Sequence, residues 1–188
     1  MKDKRFKSDF LRFKYINRFL LGQDVLDIGS GEGNMHQLLV KANPDKRFFS
    51  LDSKKADFIM DLDNPKKINK KFDSIIVGEV IEHLESPIGF VRFCKTMLKQ
   101  PGRLIITTPN ATGLQYLLNP AWCVHYTKYR GHTQAFTLEM LLRICWDEGL
   151  RVIYAGHINA FWIKNPLQYL SLFIKRLRPD LIVVGETS

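Results

Sequence analysis

Cysteine is scarce: there are 3 in 188 residues, at Cys94, Cys123 and Cys145, and none forms a C-x-x-C pair. An odd, scattered set argues against a disulfide framework and against a cysteine-built zinc site, so the three read as reduced packing residues. Long apolar runs are also missing. None reaches the roughly 18 residues that a membrane span needs. The basic opening Met1-Lys2-Asp3-Lys4-Arg5-Phe6-Lys7 leads into a charged amphipathic stretch, where a secretory signal would have an apolar core and a cleavage site. The expectation is a cytoplasmic protein. Repeats, low-complexity tracts and internal linkers are absent, so residues 1–188 are expected to form one domain around one core. Acidic charge is in deficit, with 19 Asp and Glu against 28 Lys and Arg, a net charge of +9. That balance favours an anionic partner, whether nucleic acid, a phosphorylated small molecule or an acidic membrane surface, but solvated lysines alone would give it too.

What the chain does have is a strand that runs into glycines. Val25-Leu26-Asp27-Ile28-Gly29-Ser30-Gly31-Glu32-Gly33 is an apolar strand, then three glycines in five residues, then a helical pattern. Alternate glycines leave out Cβ atoms where a ligand must touch backbone, and the helix that follows offers unpaired N–H groups. A dinucleotide fingerprint needs glycine at its first, third and sixth positions, but the sixth here is Asn34. Asp27 would sit badly beside a pyrophosphate and suits a ligand carrying an ammonium and no phosphate.

Strands are expected near residues 24, 47, 57, 72, 102, 150 and 181, alternating with helices, which predicts an α/β fold with a parallel sheet. Asp52 ends the second strand some twenty residues beyond the glycine turn, where one carboxylate can accept both ribose hydroxyls of an adenosine. A solvated loop aspartate is the alternative. Gly78-Glu79-Val80-Ile81-Glu82-His83-Leu84 follows the buried strand 72–77 at the edge where open α/β sheets hold ligands. Residues 5–21 form an amphipathic helix stopped by Gly22, and a helix is expected over 165–178. Residues 114–135 are aromatic, without clear periodicity, and include Trp122, His125, Tyr126, Tyr129 and His132. Inserts of this kind in compact domains are usually functional.

The glycine string resembles motif I of the class I S-adenosylmethionine-dependent methyltransferases. Glu79-Val80-Ile81-Glu82-His83-Leu84 resembles the segment after the fourth strand in their small-molecule branch, the type 11/23-like enzymes. The Pro101-Gly102 turn, the strand 103–108 with its Pro109-Asn110 ending, and the entry Gly131-His132-Thr133-Gln134-Ala135-Phe136-Thr137 resemble the same branch in the same order. The resemblance implies a Rossmann-like, doubly wound, seven-stranded sheet, mostly parallel, with an antiparallel last strand inserted beside the fifth. It implies S-adenosyl-L-methionine as cofactor, bound by Asp27, Gly29, Ser30, Gly31 and Gly33, by Asp52 and Ser53 at the ribose, and by Asp61 and Leu62 at the adenine. Gly78, Glu79 and Val80 would contact the methionine half.

A sulfonium methyl is already electrophilic, so alignment and exclusion of water are the main demands, and no metal is expected. If the acceptor must lose a proton, His132, His83 or His125 is the candidate base. A packed structural histidine is the alternative for His83, and a backbone-bonded one for His132. The expected reaction moves a methyl group to an O or N atom of a small-molecule or sugar-containing acceptor, with 114–135 as a lid. Two other readings stand beside it. One is RNA methylation, favoured by charge but lacking an Asn-Pro-Pro-Tyr type string after the fourth strand; the other is a non-catalytic cofactor-binding partner protein. Residues 161–178 could touch a membrane surface peripherally, or pack on the sheet or a second copy.

Overall fold

The structure, a computed structural model, describes residues 2–30, 34–118, 132–158 and 169–188, with side chains described from residue 11 onward. Seven strands form one sheet: β1 Asp24–Ile28, β2 Arg47–Asp52, β3 Phe58–Ile59, β4 Phe72–Gly78, β5 Leu98–Pro109, β6 Arg151–Ile158 and β7 Asp180–Glu186. Their order is β3-β2-β1-β4-β5-β7-β6. The pairs among β1 to β5 are parallel, and β7 runs antiparallel to both β5 and β6. This is the doubly wound, seven-stranded arrangement expected, with the last strand beside the fifth.

The strand sequences explain why the sheet is covered on both sides. Successive side chains of a strand point to opposite faces, so a strand buried on both faces reads as a continuous apolar run. Leu26, Ile28, Ile75, Val77, Leu104, Ile106, Leu181 and Val183 fill one face with α3 (Pro87–Met97) and α5 (Leu138–Asp147). Val25, Ile76, Ile105, Ile182 and Val184 fill the other, against Ile16 of α1 (Lys2–Phe19) and Leu39 of α2 (Asn34–Ala42). Each such fully buried aliphatic side chain contributes about 1.5–3 kcal/mol relative to exposure. Helix ends are capped locally. Ser86 accepts from Gly89 N ahead of Pro87, and Thr137 accepts from Met140 N. α1 ends at Phe19, and Gly22 then turns the chain at φ +62°, where a Cβ would stand 2.2 Å from Asp73 Cγ.

Three local expectations are corrected. β5 begins at Leu98 rather than near 102: Phe72 pairs with Leu98 and Ser74 with Arg103, so the Pro101-Gly102 turn becomes an irregularity inside the strand. Thr187 Oγ1 holds it, accepting from Gly102 N and donating to Lys99 O. The opening of the 114–135 insert is not irregular, because Leu114–Leu118 forms α4; residues 119–131, with His125, lie outside the described residues. The helix expected over 165–178 is broken, with α6 at Leu170–Phe173 and a 3-10 turn at Lys175–Leu177. The break falls at Ile174, which is extended at φ −103° and ψ 92°, and Asn110 Nδ2 holds the turn beyond it by donating to Arg176 O and Arg178 O. No helix of the described residues is long and apolar enough to cross a membrane.

Candidate active site

The carboxyl ends of β1, β2, β4 and β5 carry most of the residues singled out above. Asp27 is 4% exposed in β1, and burial raises its carboxyl above the usual range. Its Oδ2 lies 2.9 Å from His36 Nδ1 on α2, and that hydrogen bond raises the imidazole. This partner of Asp27 lies nine residues away on the next helix, and no motif in the sequence marks it. Gly29 turns the chain at φ +72° and donates its N–H to Leu51 O at 2.8 Å. A Cβ on Gly29 would fall 2.2 Å from Val80 Cγ2, so this glycine lets the β1 turn close against the segment after β4. Ser30 is half-buried beside it. Gly31 and Gly33 lie outside the described residues.

Asp52 stands at the end of β2, and its Oδ1 accepts from Ser53 N at 2.6 Å and from Ser53 Oγ at 3.3 Å. Asp61 is exposed and accepts from Asp63 N, while Met60 and Leu62 pack on the core. A glycine turn and an acid at adjacent strand ends are compatible with an adenosine, the one as backbone approach and the other as acceptor of hydroxyl donors. Asp52→Ala is therefore expected to weaken S-adenosylmethionine binding by about 1.5–3 kcal/mol through loss of a charged acceptor, measured by calorimetry. Unchanged affinity would remove the ribose role.

Beyond β4, a Cβ on Gly78 would meet Thr107 Oγ1 at an ordinary contact distance of 3.8 Å, and Glu79 takes φ +57°. Few non-glycine residues adopt that conformation, and it recurs at functional sites. Glu79 N donates to Thr107 O at 3.0 Å. Arg12 Nη1, reaching over from α1, lies 2.9 Å from Glu79 Oε1, close enough for an ion pair although not aligned as a hydrogen bond. The N-terminal helix thus meets this edge of the sheet through Arg12, a residue that amphipathic periodicity does not single out.

Val80 is buried, and a 3-10 turn at Ile81–His83 follows. Glu82 is 2% exposed: Oε2 accepts from Thr108 Oγ1 at 2.9 Å, while Oε1 lies 3.9 Å from His83 Nε2 and has no hydrogen-bond partner among the described residues. Burial, then the nearby Glu79, pushes its carboxyl well above the usual range. Its backbone carbonyl accepts from Thr133 N, Gln134 N and Thr133 Oγ1, which straps the acceptor-side segment onto the turn. His132 is thereby brought to His83, with ring centroids 4.9 Å apart in an edge contact. Burial and then His83 depress His132 below its ordinary 6.5. A cavity of about 100 Å³ opens here, walled by Glu82, Pro109, Ala111, Tyr116 and residues 132–135. One ligand atom from each of Glu82, His83 and His132 falls within 4.8 Å of the others, a grouping able to hold a metal ion. The Glu-x-x-Glu-His string contained this signal, but only burial distinguishes Glu82 from a solvated carboxylate.

An open sheet with β7 antiparallel between β5 and β6, and with its polar side chains gathered at the parallel strands' carboxyl ends, has the architecture of a class I methyltransferase. Residues 4–155 match a family model described as a methyltransferase domain, and the chain belongs to that family of S-adenosylmethionine-dependent enzymes. Among curated relatives, the ubiquinone biosynthesis O-methyltransferase of Glaesserella parasuis serovar 5 (strain SH0165) is 29% identical, over 84% of this chain and 81% of that protein. Other enzymes of that name match over little more than half their own length, 56% in three cases. The fold is shared with the plantazolicin methyltransferase BpumL, solved with S-adenosylhomocysteine and a triazolic desmethyl-plantazolicin analogue, at TM-score 0.68 and 18% identity over 96% of this chain and 85% of that one. A SAM-dependent methyltransferase from Archaeoglobus fulgidus gives TM-score 0.67 at 18% identity, over 98% and 95%.

Proposed function

We propose that this chain transfers the methyl group of S-adenosylmethionine to a hydroxyl oxygen of a small-molecule acceptor whose reacting end enters the cavity beside Glu82 and His132. The observation that carries the reading is His132 in the cavity wall, half-buried and depressed below 6.5, so that near pH 7 it is neutral and has a lone pair to take a proton. The relatives named O-methyltransferases support oxygen as the acceptor atom. The bound cofactor supplies an electrophilic methyl group. The acceptor oxygen bonds to it as the carbon–sulfur bond breaks, and the hydroxyl proton passes to His132. The cavity, at about 100 Å³, is smaller than the roughly 300–1,000 Å³ of a site enclosing a whole drug-sized ligand. It suits one end of an acceptor whose remainder extends outward. The test is methyl transfer from labelled cofactor to pools of hydroxylated small molecules, glycan-lipids and RNA. Label in the small-molecule or glycan fraction supports the reading, and label confined to RNA overturns it.

Glu82 Oε1, buried without a hydrogen bond among the described residues and 3.9 Å from His83 Nε2, favours a second reading of the same site, in which a divalent cation joins Glu82, His83 and His132. A dication would offset the buried carboxylate's charge and acidify a hydroxyl bound to it. Under that reading, exhaustive chelation abolishes turnover, and Mg²⁺, Mn²⁺ or Zn²⁺ restores it. Undiminished activity after chelation leaves His132 as the base.

A further inference from the structure

We propose that the segment 169–178 is a docking face for an anionic lipid bilayer, placed beside the acceptor cavity. Tyr169, Leu170, Leu172, Phe173 and Ile174 are exposed, Phe173 at 85%. A lone exposed apolar residue needs no explanation, but five within six positions form a patch of the kind that marks an interaction site. They stay unpacked because the chain cannot continue as one helix here. α6 ends at Phe173, Ile174 is extended, and the next turn is held to Asn110 by its carbonyls.

The charge on the same segment selects the partner. Lys175, Arg176 and Arg178 follow the apolar residues, and the ten positions contain no acid. Arg178 is occupied locally, donating to Ser171 O and His157 O, so it holds the loop. Lys175 and Arg176 are exposed, and the Arg176 guanidinium pairs with the surface carboxylate of Glu139 at 3.1 Å, a pair of the weak, screened kind. Apolar side chains with cations at their flank, on a chain of net charge +9, complement the acyl boundary and phosphate headgroups of an acidic bilayer.

Position joins this face to the cavity. Gln115 Nε2 on α4 donates to Pro179 O at 3.0 Å, and Asn110 lies between the cavity-wall residues Pro109 and Ala111. Also on α4, Tyr116 lines the cavity while Leu117 is 62% exposed. A bilayer on this face would therefore lie beside the cavity, which suits an acceptor dissolved in the membrane. Docking itself is measured without turnover, so it stands or falls apart from the proposed reaction.

The test is vesicle flotation of the full chain with phosphatidylglycerol–phosphatidylcholine and with pure phosphatidylcholine vesicles, at 50 mM and 500 mM salt. The bound fraction is expected to be roughly tenfold higher on anionic vesicles and to fall at high salt. The double variant Leu172→Ser/Phe173→Ser should lose about tenfold in binding while melting like the wild type, since both side chains are exposed. Lys66→Glu/Lys67→Glu, in the connection that follows β3, the strand at the other end of the sheet order from β7 and β6, should have less effect than Lys175→Glu/Arg176→Glu. No flotation, equal flotation of Leu172→Ser/Phe173→Ser, or equal losses from both lysine-region variants would overturn the proposal. So would RNA binding that these apolar substitutions weaken in place of vesicle binding.

Discussion

His132→Gln is expected to lower the methyl-transfer rate by about 10²-fold or more, because a neutral amide cannot take the hydroxyl proton. Cofactor affinity and melting temperature should change little. His132 is half-buried at the cavity wall, and Gln is similar in size and keeps hydrogen-bonding capacity. The pH profile supplies an independent readout. Burial and His83 depress the imidazole, so the wild-type rate should climb with pH through a midpoint below 6.5 and level off above it. The variant should lack that limb. The folding sign runs the same way. A histidine that binds its proton less well when folded makes the native state lose stability as pH falls below its unfolded pKa, where the unfolded chain takes up more protons. A variant that unfolds more readily while its folded fraction turns over normally would leave His132 a structural residue.

Gly29→Ala should melt roughly 4–24 °C below the wild type, by two separable costs. A non-glycine residue at φ +72° costs about 1–3 kcal/mol. The new Cβ, 2.2 Å from Val80 Cγ2, adds an overpacking cost of about 1–3 kcal/mol. In a chain of this size each kcal/mol shifts melting by about 2–4 °C. Adding Val80→Ala removes the clashing methyl and should recover the steric share while leaving the backbone share, which thermal unfolding of the single and double variants resolves. Cofactor affinity should fall with Gly29→Ala, since the β1 turn and the Val80 segment can no longer close together. A single variant that melts within 2 °C of the wild type would mean the turn adapts freely.

The parts of the site legible from the residues alone were those written contiguously. The strand 24–28 and its glycine turn, Asp52 at the end of β2, and the 78–84 string at the end of β4 all sit where the strand-and-turn reading put them. Their placement depends on short-range pattern: apolar runs make buried strands, and a chain reversal at a strand's end needs glycine. The helix over 165–178 was misread for a related reason. Leu167, Leu170, Phe173, Ile174 and Leu177 have helical spacing, but Ile174 is extended, and the turn beyond it is held through Arg176 O and Arg178 O by Asn110, 66 and 68 positions away. Periodicity reports what a segment would bury as a helix, and it is blind to a distant side chain that fixes the path of its backbone.

The sequence by itself determined the strand–helix alternation, the single glycine-rich turn suited to a ligand without pyrophosphate, and the carboxylates available at successive strand ends. Strand order came only from resemblance, because apolar runs do not record their neighbours. The tertiary structure alone decided which side chains meet. His36 closes on Asp27, Arg12 crosses to Glu79, and Thr133 bonds Glu82 across 51 positions because β4 and β5 lie side by side with their carboxyl ends together. It also decided the charge state of the site. Glu82 and His132 are ordinary titratable residues until packing removes water from around them, and desolvation then raises the acid and lowers the base.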